Sequence, residues 1–191
     1  MRSKYLTNVT DLTKLINKDI IKEGHVVIDA TVGNGYDTQY LAEKVGNTGK
    51  VYGFDIQKQA IENTEKRLRK ENLFDNVRLI LDGHENMDKH INEKADCIFF
   101  NLGYLPKLDH SIKTKPNTTI KALKKSLHLL KKNGILSICV YLGHEGAIEE
   151  KEEIEKLLFD LEQREFDVLK CSFKNQKNNP PQLILVEKKV D

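Results

Sequence analysis

The segment from residue 26 to residue 38 constrains the fold of this chain more than any other feature. An apolar run at residues 26–28 leads to Asp29, and a turn containing Gly33 and Gly35 follows. A buried strand followed by a glycine turn and a helix is how an open α/β sheet builds a ligand site at the carboxyl edge of its first strand. The two glycines let the backbone approach a ligand where a Cβ atom would collide. We therefore expect a ligand at this turn.

The spacing within the turn narrows the class of ligand. A dinucleotide site needs a third small residue after the glycines, and that position is Thr38. Asp29 also precedes the glycines, where it would repel a pyrophosphate, so NAD is the weaker interpretation. The pattern Asp29-x-Thr31-x-Gly33-x-Gly35 resembles the first motif of class I S-adenosylmethionine methyltransferases, with Thr31 in place of the first glycine. An acid there suits a ligand with a sulfonium and an ammonium group, whereas a tight turn without a ligand is the alternative.

A second acidic residue lies at the end of the next apolar segment. Residues 50–55 are predicted to form a strand that ends at Asp55, 20 residues beyond Gly35. At this separation a second-strand acid binds the ribose hydroxyls of a nucleoside in such folds. Asp55 can also cap the helix predicted at residues 57–70, and both roles can hold together. We therefore predict that Asp55 binds ribose.

The rest of the chain repeats the alternation of strands and helices. This pattern predicts a doubly wound α/β fold with a seven-stranded, mostly parallel sheet and an antiparallel C-terminal strand, because no helix separates the last two strands. We expect one domain over residues 1–191, with the N-terminal helix packed beside the first strand and helping to roof the ligand site. The predicted strands are 26–30, 50–55, 76–81, 95–100, 134–141, 166–173 and 183–187; the predicted helices are 10–22, capped by Thr10 or Asp11, 37–44, capped by Asp37 or Thr38, then 57–70, 118–132 and 146–163.

The composition limits the class of protein. Hydrophobic residues make up 39% of the chain and charged residues 31%, no apolar run is long enough to cross a membrane, and the first residues show no signal-peptide pattern. We therefore expect a soluble cytoplasmic protein. Cys97, Cys139 and Cys171 are widely separated and lie in apolar segments, which predicts reduced core residues and neither a disulfide framework nor a metal site.

The charged residues are unevenly distributed, although the net charge is only +2. Eight lysines and one acid, Asp109, occupy residues 107–132, whereas nine acids and three basic residues occupy 145–165. A local basic surface attracts a phosphate backbone through the release of counterions. A helix with ordinary solvated lysines is the alternative.

The ends of the third and fourth strands carry further candidate residues. Asp82 and His84 follow the third strand, where they can meet an adenine edge; an ordinary Asp-Gly turn with a solvated histidine is the alternative. The fourth strand ends in FFNLGYLP at residues 99–106, which resembles the Asn-Pro-Pro-Tyr motif of methyltransferases that act on amino nitrogens. In that motif the Asn carbonyl and a main-chain carbonyl accept hydrogen bonds from the target amine, and the aromatic ring packs on the substrate. The resemblance assigns these roles to Asn101 and Tyr104, with an ordinary strand-to-loop turn as the alternative.

Six blocks of sequence together resemble one family. They are DATVGNGYDT, FDIQKQAIENT, FNLGYLP, KPNTTIKAL, YLGHEGAIEEKEE and NQKNNPPQLILVEK, and the match runs from about residue 5 to residue 189. They resemble the bacterial family long labelled rRNA methylases, whose members look like the enzymes that methylate 5-aminomethyl-2-thiouridine at the tRNA wobble position. The resemblance implies S-adenosylmethionine as cofactor, S-adenosylhomocysteine as product and the tRNA anticodon arm as partner. One departure is Lys107-Leu108-Asp109-His110, where the family commonly has Gly-Gly-Asp-Lys, and this leaves the path of the loop open.

The motifs and the resemblance together assign the candidate site. Methyl transfer to an amine needs mainly alignment of the reacting atoms and a neutral amine. An rRNA methyltransferase and a non-catalytic cofactor-binding module are the alternatives, and the chain allows a monomer or a homodimer. The candidate catalytic residues are Asn101, Tyr104, Asp109 and His144; the candidate cofactor-binding residues are Asp29, Thr31, Gly33, Asn34, Gly35, Asp37, Thr38, Asp55, Ile56, Gln57, Asp82, Gly83, His84 and Asn101; the candidate substrate-binding residues are Leu102, Gly103, Tyr104, Pro106, Lys113 and Lys115; no metal is expected.

Overall fold

Strands and helices alternate along the residues that the computed structural model describes, which are 6, 8–103, 114–143 and 145–191. The strands are β1 (Val26–Asp29), β2 (Lys50–Asp55), β3 (Val77–Leu81), β4 (Ala95–Leu102), β5 (Leu130–Val140), β6 (Phe166–Cys171) and β7 (Gln182–Lys188), and the helices are α1 (Val9–Asn17), α2 (Tyr36–Val45), α3 (Lys58–Lys70), a 3₁₀ helix (His84–Lys89), α4 (Pro116–Leu129) and α5 (Ala147–Phe159). The sheet has the order β3-β2-β1-β4-β5-β7-β6. Within this sheet β7 pairs antiparallel with both β5 and β6, and the other neighbouring strands pair in parallel. The predicted fold class is therefore confirmed.

The strand order reverses between β1 and β4, which lie side by side and parallel. The connections after these two strands leave in opposite directions, so a crevice opens outside their carboxyl ends. Asp29 pairs with Gly53 of β2 on one side and with Phe99 of β4 on the other. The ends of β1, β2 and β4 therefore meet at this crevice.

Alternate residues of β4 fix the end of this strand in two different cores. Phe100 and Leu102 pack in the core beneath α4 and α5, whereas Cys97 and Phe99 pack in the core beneath α1, α2 and α3. This alternation is the period of a strand buried on both faces. All four side chains are at most 2% exposed, and each large apolar side chain buried in this way contributes roughly 1.5–3 kcal/mol. Asn101, which lies between Phe100 and Leu102, is consequently held in a fixed position at the crevice.

The N-terminal helix differs from its prediction at both ends. The cap is Asn8, whose Oδ1 accepts a hydrogen bond from the Asp11 amide at 2.8 Å, so the predicted caps Thr10 and Asp11 are wrong. The helix ends at Asn17 and not at residue 22, because the amides of residues 20 and 21 both bond to the Asn17 carbonyl and tighten the chain into a turn.

Helix α1 also packs in a different place from the one predicted. It lies mainly over β5 and β7 and not beside β1. Buried polar contacts hold it there: the Thr13 hydroxyl lies 3.3 Å from Cys139 Sγ, and Asn17 Nδ2 donates to Ser137 Oγ at 3.0 Å. A polar helix face buried on a sheet needs such partners, since an unpaired buried polar group is costly. Sequence periodicity alone does not reveal these partners.

Three other boundaries shift for local reasons. Helix α2 has Gly35 as its N-cap, with φ of 77° and no side-chain cap bond, so the predicted caps Asp37 and Thr38 are wrong. Helix α4 ends at Leu129, because Leu130 is extended and begins β5 opposite Ala95. Helix α5 ends at Phe159, four residues before its predicted end.

The charged surface is partly neutralised within the fold. Lys125 pairs with Asp88 at 2.6 Å and Lys131 pairs with Asp96 at 2.7 Å, so not every lysine of the basic segment is available to a ligand. The three cysteines are free thiols. Among the described residues, no group of three or more His, Cys, Asp or Glu side chains could hold a metal ion, and no helix is long and apolar enough to cross a membrane.

Candidate active site

A cavity of about 800 Å³ opens at the carboxyl edge of β1, β2 and β4, within the range of sites that hold small molecules. Most of the predicted site residues line it: Thr31, Gly33, Asn34, Asp37, Asp55, Ile56, Gln57, Asp82, Gly83, His84, Asn101, Leu102, Gly103 and Lys115. Asp29, Gly35 and Thr38 support this wall from other positions. The predictions for Tyr104, Pro106, Asp109, Lys113 and His144 lie outside the described residues.

The glycine turn is held by α3, which packs against its outer side. The Thr64 hydroxyl donates to the Gly33 carbonyl at 3.2 Å. A Cβ atom at Gly35 would lie 2.6 Å from that hydroxyl oxygen, and the φ of 77° there favours glycine. Glycine is therefore required at position 35 by the close approach of α3 as well as by the turn.

An arginine of α3 fixes the next residues of the turn. Arg67 Nε donates to the Asn34 carbonyl at 2.9 Å, and its guanidinium lies 3.9 Å from the centre of the Tyr36 ring. Arg67 also donates to Gln39 Oε1 at 3.2 Å. These contacts join α2, α3 and the turn into one rigid wall.

Asp55 lies at the end of β2 and faces both the turn and the cavity. Its Oδ2 accepts a hydrogen bond from the Gly33 amide and its Oδ1 accepts one from the Gln57 amide, each at 2.9 Å. Burial raises the pKa of Asp55, and these two amides act against that rise. Each carboxylate oxygen keeps a second lone pair, so Asp55 can accept further hydrogen bonds from vicinal hydroxyls in the cavity.

Asp29 is fully buried behind the turn. Its oxygens accept hydrogen bonds from the Thr31 amide at 3.1 Å and from the Thr38 hydroxyl at 2.6 Å. Burial, followed by the neighbouring charge of Asp37, raises the pKa of Asp29 to about 7. The structure thus places Asp29 as a brace between β1 and α2, one layer away from the cavity.

Asp82 and His84 take different roles at the end of β3. Asp82 accepts hydrogen bonds from the Gly83 amide at 2.7 Å and from Asn86 at 2.9 Å, and it pairs with His90 at 2.8 Å. The hydrogen bond from His90 lowers the pKa of Asp82 below its usual value. Asp82 therefore shapes the turn while it lines the cavity.

His84 is buried and not solvated, with 9% of its surface exposed. Its Nδ1 lies 3.2 Å from the Ala30 carbonyl; since a carbonyl only accepts, Nδ1 carries the proton. Burial lowers the pKa of His84, so the ring is neutral and Nε2 is left as a hydrogen-bond acceptor. This suits contact with an amino group on the edge of a base.

Asn101 lies between Phe100 and Leu102 at the end of β4. Its amide donates to Thr31 Oγ1 at 2.7 Å, and its side-chain Nδ2 donates to Asp37 Oδ2 at 2.6 Å. Its side-chain carbonyl, Oδ1, is buried and has no hydrogen-bond partner among the described residues. This oxygen can therefore accept a hydrogen bond from a donor that reaches it, and leaving such a buried carbonyl unpaired costs about 1–3 kcal/mol.

Sequence reasoning missed several residues of this wall. Lys14 on α1 forms an ion pair with Asp37 at 2.7 Å, and Thr10 and Asp11 of the same helix also line the cavity, so α1 borders the site as predicted although these residues were not named. Tyr141 lines it directly after β5, and burial raises its pKa well above the usual range. Its place after a strand end, like that of Asn101, is the signal that could have found it.

The described residues fit S-adenosylmethionine. A nucleoside can lie between Asp55, Ile56 and the neutral His84, and the unpartnered Asn101 carbonyl lies at the other end of the same cavity. The carboxylate suits ribose hydroxyls, and the exposed Ile56 side chain, 59% accessible, offers apolar surface to a base.

Sequence comparisons place the chain among methyltransferases. A family model described as "Putative rRNA methylase" matches residues 51–187, and a model for protein-L-isoaspartate(D-aspartate) O-methyltransferase matches residues 5–91. The chain is 40% identical over 158 residues to the chloroplastic tRNA (mnm(5)s(2)U34)-methyltransferase of Arabidopsis thaliana, a match that covers 76% of this chain and 57% of that protein. The chain therefore spans a little over half the length of this curated relative.

Solved structures agree over almost the whole chain. A crystal structure described as a "putative rRNA-methylase" from Clostridium thermocellum is 48% identical, with a TM-score of 0.93 and coverage of 96% of this chain and 98% of that one. A structure described as "a putative methyltransferase" from Streptococcus mutans, in complex with S-adenosylhomocysteine, is 37% identical, with a TM-score of 0.87 and coverage of 96% of this chain and 99% of that one. An S-adenosylmethionine-dependent O-methyltransferase from Thermotoga maritima, at 19% identity and a TM-score of 0.65, shares the fold and covers 100% of this chain and 68% of that one. The chain therefore belongs to the family described as "Putative rRNA methylase", within the class I S-adenosylmethionine-dependent methyltransferases.

Proposed function

We propose that this protein methylates the aminomethyl nitrogen of 5-aminomethyl-2-thiouridine at the wobble position of tRNA. The observation that carries the proposal is the buried side-chain carbonyl of Asn101, a residue that lines the cavity; this carbonyl lacks a partner among the described residues. An amine with two N–H groups is the kind of acceptor substrate that such a carbonyl orients. The Arabidopsis relative, named for the wobble uridine of tRNA, supports this choice of substrate.

The chain's own residues divide the cavity between two tasks. When bound, S-adenosylmethionine supplies an electrophilic methyl group. Asp55 holds the nucleoside end, since the Gly33 and Gln57 amides fix its carboxylate with hydrogen bonds of 2.9 Å. Asn101 lies across the sheet edge, where it can hold an acceptor nitrogen in line with the transferred group. Such alignment can contribute roughly 7–11 kcal/mol to catalysis.

The site must also favour the reactive, neutral protonation state of the substrate amine. An alkylamine is mostly protonated near neutral pH, and burial favours its neutral form. The Asn101 carbonyl accepts one N–H and leaves the nitrogen lone pair free to point along the cavity. A proton must leave the amine, and Asp109 and His144, both outside the described residues, are our proposed path for it.

The proposed partner is the anticodon arm of tRNA. Bases of a single-stranded loop can be splayed out and stacked on an aromatic side chain, a role we propose for Tyr104, which lies outside the described residues. Lys115 is exposed and lines the cavity mouth, where it can meet a loop phosphate. Lys113, also proposed to bind phosphate, lies outside the described residues.

An rRNA substrate is the second candidate, because the matching family model carries that description. An rRNA methyltransferase would use the same cofactor site and the same Asn101 motif. Only the RNA that accepts the methyl group therefore distinguishes the rRNA hypothesis from the tRNA hypothesis. A non-catalytic binding module is less well supported, since such a module has no use for an unpaired buried carbonyl.

The test is an assay with three acceptors and a labelled methyl donor. The acceptors are tRNA bearing 5-aminomethyl-2-thiouridine, the same tRNA without the modification, and rRNA. We expect methylation of the first only, with 5-methylaminomethyl-2-thiouridine identified by nucleoside mass analysis. Equal methylation of unmodified tRNA, or methylation of rRNA alone, would reject the substrate.

A further inference from the structure

We propose that Asp37 is a positioning residue that fixes the side-chain amide of Asn101 with its carbonyl towards the cavity, and that Lys14 holds Asp37 in place. This proposal rests on the proposed function of Asn101. The motif at residues 99–106 contains neither residue, and they lie 64 and 87 positions before Asn101 in the chain. They meet only in the folded protein.

Three side chains form a continuous chain of short contacts along the cavity wall. Lys14 Nζ lies 2.7 Å from Asp37 Oδ1, and Asp37 Oδ2 accepts a hydrogen bond from Asn101 Nδ2 at 2.6 Å. The ion pair is sheltered, with side-chain exposures of 28% for Lys14 and 14% for Asp37. Hydrogen bonds between charged and polar groups of this length are among the stronger ones in proteins.

The chemistry of these groups permits one orientation of the Asn101 amide. An asparagine side chain has a donor end and an acceptor end of nearly equal size, so sterics alone cannot choose between them. An ionised carboxylate only accepts, and it therefore selects the NH₂ end of Asn101. Lys14 only donates, and it occupies the other carboxylate oxygen. The carbonyl of Asn101 must then face away from Asp37, which agrees with its lack of a partner among the described residues.

The position of Lys14 is itself fixed by the neighbouring residues of α1. Thr13 contacts Cys139 at 3.3 Å, and Asn17 donates to Ser137 at 3.0 Å. These contacts fasten the helix to β5 on both sides of Lys14 in the sequence. The Lys14 ammonium also lies 5.4 Å from the centre of the Tyr40 ring, which adds a cation–π contact. The contacts among Lys14, Asp37 and Asn101 are therefore a rigid part of the fold.

Asp37→Asn distinguishes a positioning role from a merely structural one. The introduced amide has a single acceptor oxygen, and Lys14 competes for it. The NH₂ group of that amide then faces Asn101, whose own amide must turn and present NH₂ to the cavity. Asp37→Asn combined with Lys14→Met removes the competition, so the introduced oxygen can again accept from Asn101. We therefore expect the second substitution to rescue the first.

The experiment measures kcat and KM with saturating cofactor, S-adenosylhomocysteine affinity by calorimetry, and the Asn101 side-chain ¹⁵N–¹H signals, assigned by their absence from Asn101→Ala. We expect Asp37→Asn to lower kcat by about 100-fold, the size of effect seen when one preorganised polar group is lost, and to abolish the exchange protection of those signals. The Asp37→Asn, Lys14→Met protein should regain at least about tenfold in kcat and the protection. Lys14→Met measured alone shows what this substitution does to kcat and to the Asn101 signals when Asp37 is intact, and the double variant is compared with it.

A second variant guards against a folding defect in Asp37→Asn. Lys14→Glu changes a partly exposed side chain and repels Asp37 from its place, so it should also remove the protection of the Asn101 signals. The proposal is overturned if that protection is unchanged in both variants, or if the double substitution is no more active than Asp37→Asn. If the native protein methylates none of the tested RNAs, the proposed function fails, while the Asn101 signals still decide whether Asp37 orients the amide.

Discussion

The two ends of the cavity treat their polar groups in opposite ways. At the proposed nucleoside end, formed by Asp55 and the glycine turn, both Asp55 oxygens accept hydrogen bonds from backbone amides, and the Gly33 carbonyl accepts one from the Thr64 hydroxyl. At the proposed acceptor end, marked by Asn101, the buried side-chain carbonyl of this residue is left without a partner among the described residues. The hydrogen bonds at the Asp55 end hold its shape whether or not a ligand is present. At the Asn101 end, one hydrogen-bond acceptor stays unpaired within the described residues.

This difference suggests how binding and chemistry are separated within one cavity. Groups that are satisfied before the ligand arrives contribute rigidity and affinity with little reorganisation. A group that is satisfied only when the acceptor is in place contributes most where the acceptor is held for reaction. Substitutions at the two ends should therefore affect different constants, and the following predictions test that division.

Asn101→Ala should give the largest effect. It removes the unpartnered carbonyl, so kcat should fall by about 100-fold or more, while S-adenosylhomocysteine affinity stays within a few fold of the native value. Steady-state kinetics and calorimetry measure the two quantities. Asn63→Ala is the matched control, since Asn63 bonds to Gln59 on the exposed side of α3. Normal turnover in a saturated assay would show that Asn101 does not orient the amine.

Asp29 tests whether the wall behind the nucleoside end is as rigid as its hydrogen bonds indicate. Its pKa is raised from 3.8 to about 7 by burial, so the folded protein holds a proton that the unfolded chain releases above pH 4 or so. The stability contribution is full at low pH and is lost as the pH rises through about 7. Between about pH 4 and pH 7, the loss of unfolding free energy can reach about 1.4 kcal/mol per pH unit.

Asp29→Asn should remove this pH dependence, because the amide stays neutral and can still accept from Thr31 and donate to the Thr38 hydroxyl. Denaturant unfolding at pH 5, 6, 7 and 8 gives the difference in unfolding free energy between native protein and variant. We expect the native protein to lose stability relative to the variant as the pH rises. A difference that does not change with pH would contradict the raised pKa.

The sequence predicted the positions of residues at the proposed nucleoside end better than it predicted the contacts at the proposed acceptor end. The glycine turn, Asp29 and Asp55 stand next to strand ends, and the observed β1 and β2 begin where predicted. Strand period and turn residues are local properties, so a single sequence reports them. For this reason most of the residues predicted from the turn and the strand ends line the cavity, although the prediction used no information about packing.

The acceptor end depends on contacts between distant residues. Asn101 was identified by its motif, but Lys14 was not, because the helix that carries it packs over β5 and β7 through Thr13 and Asn17. Nothing in the periodicity of α1 distinguishes that place from the predicted one beside β1. His84 shows the same limit: a histidine after an Asp-Gly turn is usually solvated, and here the 3₁₀ helix buries it against Phe100.

Asp55→Ala should give a smaller effect than Asn101→Ala, and on a different constant. Loss of the charge-assisted hydrogen bonds to ribose should weaken S-adenosylmethionine binding by at least about tenfold, or about 1.4 kcal/mol. Part of the loss will come from the Gly33 amide, which loses its partner. Asp75→Ala, which removes an exposed carboxylate before β3, is the control for charge. Unchanged affinity in calorimetry would remove Asp55 from the cofactor site.

Lys115→Ala should give the smallest effect on activity. Lys115 lies at the mouth of the cavity, so its substitution tests RNA binding there and not the Asp55 end or the Asn101 end. Lys115 is exposed and lines the opening next to Thr114, whereas Lys125 and Lys131 are engaged with Asp88 and Asp96. If Lys115 meets one phosphate of the anticodon arm, its removal should raise KM for tRNA a few fold and lower the slope of log affinity against log salt by about one. Cofactor affinity should not change. Lys121→Ala removes an equal charge from the exposed side of α4, the helix that follows Lys115. This variant should leave the slope of log affinity against log salt unchanged. The same slope for both variants would mean that the RNA docks on another surface, and the division of the cavity into a nucleoside end and an acceptor end would stand without it.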